Sequence, residues 1–227
     1  MLASSRRFTS SSIRLQHPCN VVVVGMTGSG KSIFVRSLLN EFHNHFNISA
    51  QTIRVLWCYS VAESLSPFEN PDVSLTFFEG VPTEQDLRDA RPDVVILDDL
   101  MNEVATAKKN ADIFTRLSHH LSFSCIFLVQ HFFVKQLNVI TNNAHYFVWM
   151  KSPRTLQQLI HFSQQVALSS HLVKSAYLKA TKEPFTYLFV DLHPRTDDSL
   201  RLRSRILQRE LPPAMRAKYT TAPRIFF

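Results

Sequence analysis

Hydrophobic residues fall along the chain in two alternating patterns. Short, mostly apolar runs rich in β-branched and aromatic side chains predict strands over residues 19–24, 52–59, 73–78, 94–97, 124–129, 145–150 and 185–191, and an alternation of Leu and Arg predicts a last strand over 200–206. Between them, apolar residues spaced three and four apart predict helices over 32–42, 83–88, 105–121, 134–140, 154–166 and 170–181. Strands that alternate with helices, and that are apolar on both faces, imply a mostly parallel central sheet covered on both sides, an α/β three-layer sandwich.

At 227 residues, with 45% hydrophobic and 19% charged residues, the chain is long enough for one well-buried α/β domain and has ordinary globular usage. We place that domain at residues 17–207, between a basic disordered arm (1–16) and an irregular basic tail (208–227) that carries Pro212, Pro213 and Pro223. The arm is Ser- and Arg-rich and free of acids, a composition shared with organelle transit peptides but short for one.

The net charge of +7 gathers at the two ends. Residues 1–40 hold five Lys/Arg and no acid, and residues 194–227 hold eight against three, whereas the stretch between holds twelve against fifteen. Such ends suit a polyanion such as nucleic acid, or are simply solvated tails. Cys19, Cys58 and Cys125 are far apart, odd in number and set in apolar runs, which points to reduced core thiols and an intracellular setting. No apolar run approaches the roughly 20 residues of a membrane span, so a soluble protein is expected.

The strand 19–24 runs into Gly25-Met-Thr-Gly-Ser-Gly-Lys31-Ser32, and a helix follows. This is the G-x-x-x-x-G-K-S/T phosphate loop in the context it requires. Three of the four glycines in the chain, Gly25, Gly28 and Gly30, lie here, where backbone amides must approach an anion closely. Gly25, Thr27, Gly28, Ser29, Gly30, Lys31 and Ser32 are therefore the nucleotide-binding candidates, with Lys31 on the β- and γ-phosphates and Ser32 on Mg²⁺.

Asp98 and Asp99 close the apolar run Val94-Val-Ile-Leu97, a Walker B pattern. Carboxylates at the carboxyl end of a buried strand lie where α/β proteins bind ligands. Asp98 is expected to hold the magnesium and Asp99 to deprotonate the attacking water; the bland alternative is an Asp pair capping the next helix. Gln130 ends the strand 124–129 and is placed to orient the water or sense the γ-phosphate.

Arg116 and Arg154 are candidates for the arginine that stabilises a transferring phosphoryl group, Arg154 being preferred because it opens a helix just after a strand. Arg201, Arg203 and Arg205 alternate with apolar residues, so a strand there puts all three on one face, fit to track a DNA backbone. His119, His120 and His131 lack a Cys or carboxylate at ligand spacing and read as surface or polar-core histidines.

Further short segments stand in a specific order: His17-Pro18, Trp57-Cys-Tyr59, Phe78-Glu-Gly80, Leu97-Asp-Asp-Leu-Met101, Ser118-His-His120, Val129-Gln130, Asn143-Ala-His-Tyr146, Ser152-Pro-Arg154 and Leu200-Arg-Leu-Arg203. With these, residues 14–207 resemble the poxvirus-type genome-packaging ATPases of the HerA/FtsK superfamily, most closely those of Polinton/Maverick elements and adintovirus-like viruses. The resemblance implies a P-loop NTPase fold of the additional-strand type, in which the Gln130 strand lies between the loop strand and the Walker B strand. It also implies ATP and Mg²⁺ as cofactors and a homo-oligomeric ring that moves double-stranded DNA into a capsid at a portal-like vertex. The setting it implies is a host cell, in the nucleus or at the virus assembly site, with possible association with the virion. Asp99 stands where relatives frequently have Glu. Two rivals remain at this stage: a P-loop kinase with a small acceptor, and a nucleotide-gated DNA-binding or assembly subunit with little turnover.

Overall fold

The run Val21 to Val24 forms the middle of the molecule because every side chain in it is apolar and β-branched, which suits a strand buried on both faces. The computed structural model describes residues 9–10, 13–60, 68–106, 113–132 and 138–210. Among them, β1 (Thr9–Ser10), β2 (Asn20–Val24), β3 (Ile53–Tyr59), β4 (Val73–Glu79), β5 (Val94–Asp98), β6 (Ser124–Val129), β7 (Tyr146–Met150), β8 (Tyr187–Asp191) and β9 (Leu202–Ser204) form one sheet. Its order is β1-β9-β8-β7-β2-β6-β5-β3-β4.

From β7 to β4 all neighbours run parallel, whereas β8 is antiparallel to both β7 and β9. The strand that precedes Gln130, β6, is inserted between β2 and β5. The fold is thus a P-loop NTPase sandwich of the additional-strand type, as the resemblance implies.

Alternation within the apolar strands sends successive side chains to opposite faces, and each face carries its own core. Val22, Val24, Val95, Leu97, Phe127 and Trp149 pack with Leu159, Phe162, Val173 and Tyr177 from the helices Thr155–Gln165 and Ser170–Ala180. Val21, Val23, Ile96, Ile126, Leu128 and Met150 pack with Phe34, Val35, Leu38 and Leu39 from the helix Lys31–Asn40. The sheet is the middle of three layers.

Several expected boundaries shift. The helix expected over 105–121 is instead a helix Met101–Thr106, a π turn Ile113–Leu117 and a helical turn Ser118–His120, with residues 107–112 outside the described set. Of the helix expected over 134–140, the described part is Asn138–Asn142. The strand expected over 200–206 covers only Leu202–Ser204, because Asp197 caps a 3₁₀ turn at Asp198–Leu200 and Arg205 takes a left-handed φ of 52°.

The domain also begins earlier than residue 17. Ile13 and Leu15 are buried, and Leu15 bridges to Phe46, so these two apolar residues join the core instead of a disordered arm. Residues 1–8 of the arm and 211–227 of the tail lie outside the described residues. No helix among the described residues is long and apolar enough to cross a membrane.

Candidate active site

The register of the sheet brings the chemistry together. Val24 is level with Val129, and Leu128 is level with Asp98, so Gly25, Gln130 and Asp99 leave their strands side by side. The Gly25 N–H donates to the Val129 carbonyl at 3.0 Å and locks the start of the loop to β6. Gly28 and Gly30 have φ of 77° and 95°, the left-handed region that costs a residue with Cβ about 1–2 kcal/mol. Gly30 is also the N-cap of the helix Lys31–Asn40, so the loop delivers its amides to a helix N-terminus, the polarity an anion prefers.

Lys31 folds back over the loop and donates to the carbonyls of Gly25 (2.7 Å) and Met26 (3.2 Å). Burial pulls its ammonium below the usual lysine range, and the nearby Asp98 and Asp99 carboxylates oppose that pull. The Ser32 hydroxyl donates to Asp98 Oδ2 at 3.3 Å. Trp57 Nε1 donates to the same oxygen at 3.2 Å from β3, and Arg36 lies over the Trp57 ring at 5.3 Å. Burial raises the pKa of Asp98, while the bonds from Trp57 and Ser32 and the charge of Lys31 hold it down.

Asp99 follows in a left-handed conformation, φ 56°, which a short polar residue tolerates better than most. Its Oδ1 accepts a 2.8 Å hydrogen bond from Gln130 Nε2, while the Gln130 N–H points to Met101 Sδ at 3.2 Å. Asp99 and Gln130 line a cleft of about 320 Å³ together with Thr27, Gly28, Gly30, Lys31, Ser32, Ile33, Ser60 and Asp98. Thr27, Gly28, Gly30, Lys31, Ser32, Asp98, Asp99 and Gln130 therefore converge on one space, whereas Gly25 and the buried Ser29 hydroxyl lie behind its lining.

The pair Ser32 and Asp98 fits a magnesium ion. Two hard oxygen donors stand 3.3 Å apart, close to the spacing of neighbouring ligands around an octahedral ion, and Mg²⁺ is commonly held by one carboxylate, a hydroxyl and substrate phosphates. When bound, the ion would neutralise charge on the β- and γ-phosphates.

The arginines divide. Arg154 flanks the start of the helix Thr155–Gln165 and lines a hollow of about 160 Å³ that shares Thr27 and Gln130 with the cleft. Arg116 instead donates to Glu84 at 3.1 Å, on the helix Glu84–Ala90. The expectation of one exposed face bearing Arg201, Arg203 and Arg205 is corrected. Arg203 is buried, with its guanidinium donating to the Leu200 carbonyl at 2.7 Å and standing 3.9 Å from Asp191. Arg201 bonds Asp198 and the Asp191 carbonyl, and Arg205 lies beyond the strand end. A three-residue strand with a buried acid beside it binds its arginine inward.

Cys19, Cys58 and Cys125 are free and buried, and burial pushes the Cys19 thiol up to about 12. His119 lies edge-on to His145 at 6.5 Å, and His145 precedes β7 at the sheet edge opposite the cleft. Trp57 is the site residue that pattern reading did not assign a role. The signal was present, since an indole N–H in an otherwise apolar strand must find an acceptor.

No family model matches the sequence, and no curated protein matches it. Solved structures do match in shape. The DNA-packaging ATPase B204 of Sulfolobus turreted icosahedral virus superposes with a TM-score of 0.51 at 13% identity, over 78% of this chain and 94% of that one. The genome-packaging NTPase B204 of Sulfolobus turreted icosahedral virus 2, in complex with ATP-gammaS, gives 0.49 at 12% identity over 78% and 94%. The ATPase DotB of Legionella pneumophila gives 0.37 at 14% over 74% and 53%. At such identities the likeness to the first of these is one of fold.

Proposed function

We propose that this protein is an ATP-hydrolysing motor that translocates double-stranded DNA to package a viral or virus-like transposon genome into capsids. The observation that carries the ATPase part is the meeting of Lys31, Ser32, Asp98, Asp99 and Gln130 on one cleft. In this reading the loop amides and Lys31 grip the β- and γ-phosphates, and Ser32 and Asp98 hold Mg²⁺. Asp99 takes a proton from water oriented with the help of Gln130; the water oxygen bonds to the γ-phosphorus and the bond to the β-bridging oxygen breaks, leaving ADP and inorganic phosphate.

A paired second carboxylate at the γ end favours hydrolysis over transfer to a small acceptor. The DNA-packaging role is supported by the sequence resemblance to poxvirus-type HerA/FtsK, Polinton and adintovirus packaging ATPases, by the basic ends of the chain, and by a fold shared with a protein described as a DNA-packaging ATPase. A homo-oligomeric ring, a capsid or portal-like partner and action inside a host cell belong to the same proposal.

The test is ATP hydrolysis with and without duplex DNA, read beside particle size with and without ATP. A motor hydrolyses faster on DNA and assembles. Hydrolysis that ignores DNA but responds to a small acceptor would favour a kinase, and slow single turnover unaffected by DNA would favour a nucleotide-gated assembly subunit. Arg154→Ala subunits mixed with Lys31→Ala subunits regain activity if Arg154 acts across a subunit boundary, and show no rescue if it serves its own cleft.

A further inference from the structure

The mechanism leaves unused an aromatic ring at the mouth of the loop. Phe185 sits between the helix Ser170–Ala180 and β8 and is 60% exposed, the most exposed large hydrophobic among the described residues. Its backbone has a φ of 60°, a conformation that a bulky residue rarely adopts and that tends to persist where function fixes it. The ring nevertheless rests on the loop itself: its Cδ1 lies 3.1 Å from where a Cβ on Gly30 would stand.

The segment is pinned from within. The Lys151 N–H donates to the Thr186 carbonyl at 2.8 Å, Lys151 Nζ to the Lys182 carbonyl at 2.6 Å, and Thr186 Oγ1 to the Glu183 carbonyl at 2.6 Å. An exposed aromatic on a braced, strained turn is pre-organised to receive a flat partner.

Direction selects that partner. Asp98, Asp99 and Gln130 lie on the β5/β6 side of β2 and define the γ end of a bound triphosphate. The α end and the base must then leave the loop on the other side, toward β7 and β8, where Phe185 stands beside Gly30.

We infer that Phe185 is the nucleobase platform of this site, stacking the purine of the bound nucleotide through its exposed face, a role that rests on the phosphate-loop reading above. A ring offers stacking but no donor or acceptor, so it favours purines over pyrimidines and separates adenine from guanine poorly.

The experiment is equilibrium binding of ATP, GTP, UTP and inorganic tripolyphosphate to the full chain, wild type and with Phe185→Ala and Phe185→Trp. Loss of one stack is expected to weaken ATP about 10-fold, to narrow the preference for ATP over UTP and to leave tripolyphosphate unchanged, with Phe185→Trp retaining ATP affinity. Equal weakening of ATP and tripolyphosphate, or unchanged ATP binding in Phe185→Ala, overturns the platform while leaving the phosphate loop intact. Wild-type protein that binds neither ATP nor tripolyphosphate overturns the phosphate loop and the platform with it.

Discussion

At the edge where β2, β5 and β6 end, the chain turns through positive φ at Gly28, Gly30 and Asp99, and Lys31 and Asp98 are ionisable groups drawn into partial burial. At the opposite edge, polar groups close on one another. The Asn20 N–H donates to His145 Nδ1 at 3.1 Å, the His193 N–H to Asp191 Oδ1 at 3.0 Å, and His17 Nδ1 pairs with Ser124 Oγ at 2.8 Å. One sheet thus has an edge held ready for a ligand and an edge satisfied by its own residues. What sets the first edge apart is that Lys31, Ser32, Asp98, Asp99 and Gln130 face one open cleft.

That contrast breaks first at Lys31. Lys31→Ala is expected to cut ATP turnover by roughly 10²–10³-fold or more with the melting temperature nearly unchanged, checked by steady-state phosphate release and thermal unfolding. Retained turnover would move the chemistry away from the loop.

Next is Asp98. Its carboxyl has a raised pKa in the fold, chiefly through burial, so the ionised form costs stability and that cost grows as pH rises through the folded pKa. Asp98→Asn is therefore expected to raise the metal-free melting temperature at neutral pH while removing Mg²⁺-dependent hydrolysis. A fall in melting temperature would mean that the charge stabilises the fold.

Trp57→Phe removes one bond to Asp98 and leaves the ring, so Mg²⁺ affinity measured by titration should weaken roughly 10-fold. Unchanged affinity would make Trp57 a packing residue alone.

The smallest effects belong to the other edge. The His145 pKa is lowered by burial and then by His193 and His119, so the stability its neutral form contributes is present above the unfolded value of about 6.5 and is lost as pH falls below it. His145→Asn should flatten the dependence of melting temperature on pH between about 5 and 7 and leave ATP turnover within about twofold. A large loss of turnover would join the two edges functionally.

What could be read from the chain beforehand follows the range of the interactions. The loop Gly25 to Ser32 and the pair Asp98 and Asp99 are runs of contiguous residues, so pattern alone singled them out as candidates for the cleft they border. The strands β2, β5, β6 and β7 were equally legible, being unbroken apolar runs. The insertion of β6 between β2 and β5 is a choice among pairings that apolar runs do not encode, and it came only with the family resemblance.

Contacts distant in sequence were the ones missed. Trp57 reaches Asp98 across 41 positions, Phe185 reaches Gly30 from the far end of the domain, and Arg203 turns inward because Asp191 is buried beside it. Alternation placed Arg203 on a face, and only the buried carboxylate decided which way that face points.

The central claim is that Asp99, held by Gln130 beside the phosphate loop, takes the proton of the water that attacks a gripped nucleotide. The most direct measurement is ATP binding and phosphate release, side by side, for the wild type and Asp99→Asn. The account predicts Mg²⁺-dependent release by the wild type, with Asp99→Asn binding ATP with similar affinity and turning it over roughly 10²–10⁴-fold more slowly. Near-normal release by Asp99→Asn, or no release by the wild type, would contradict it.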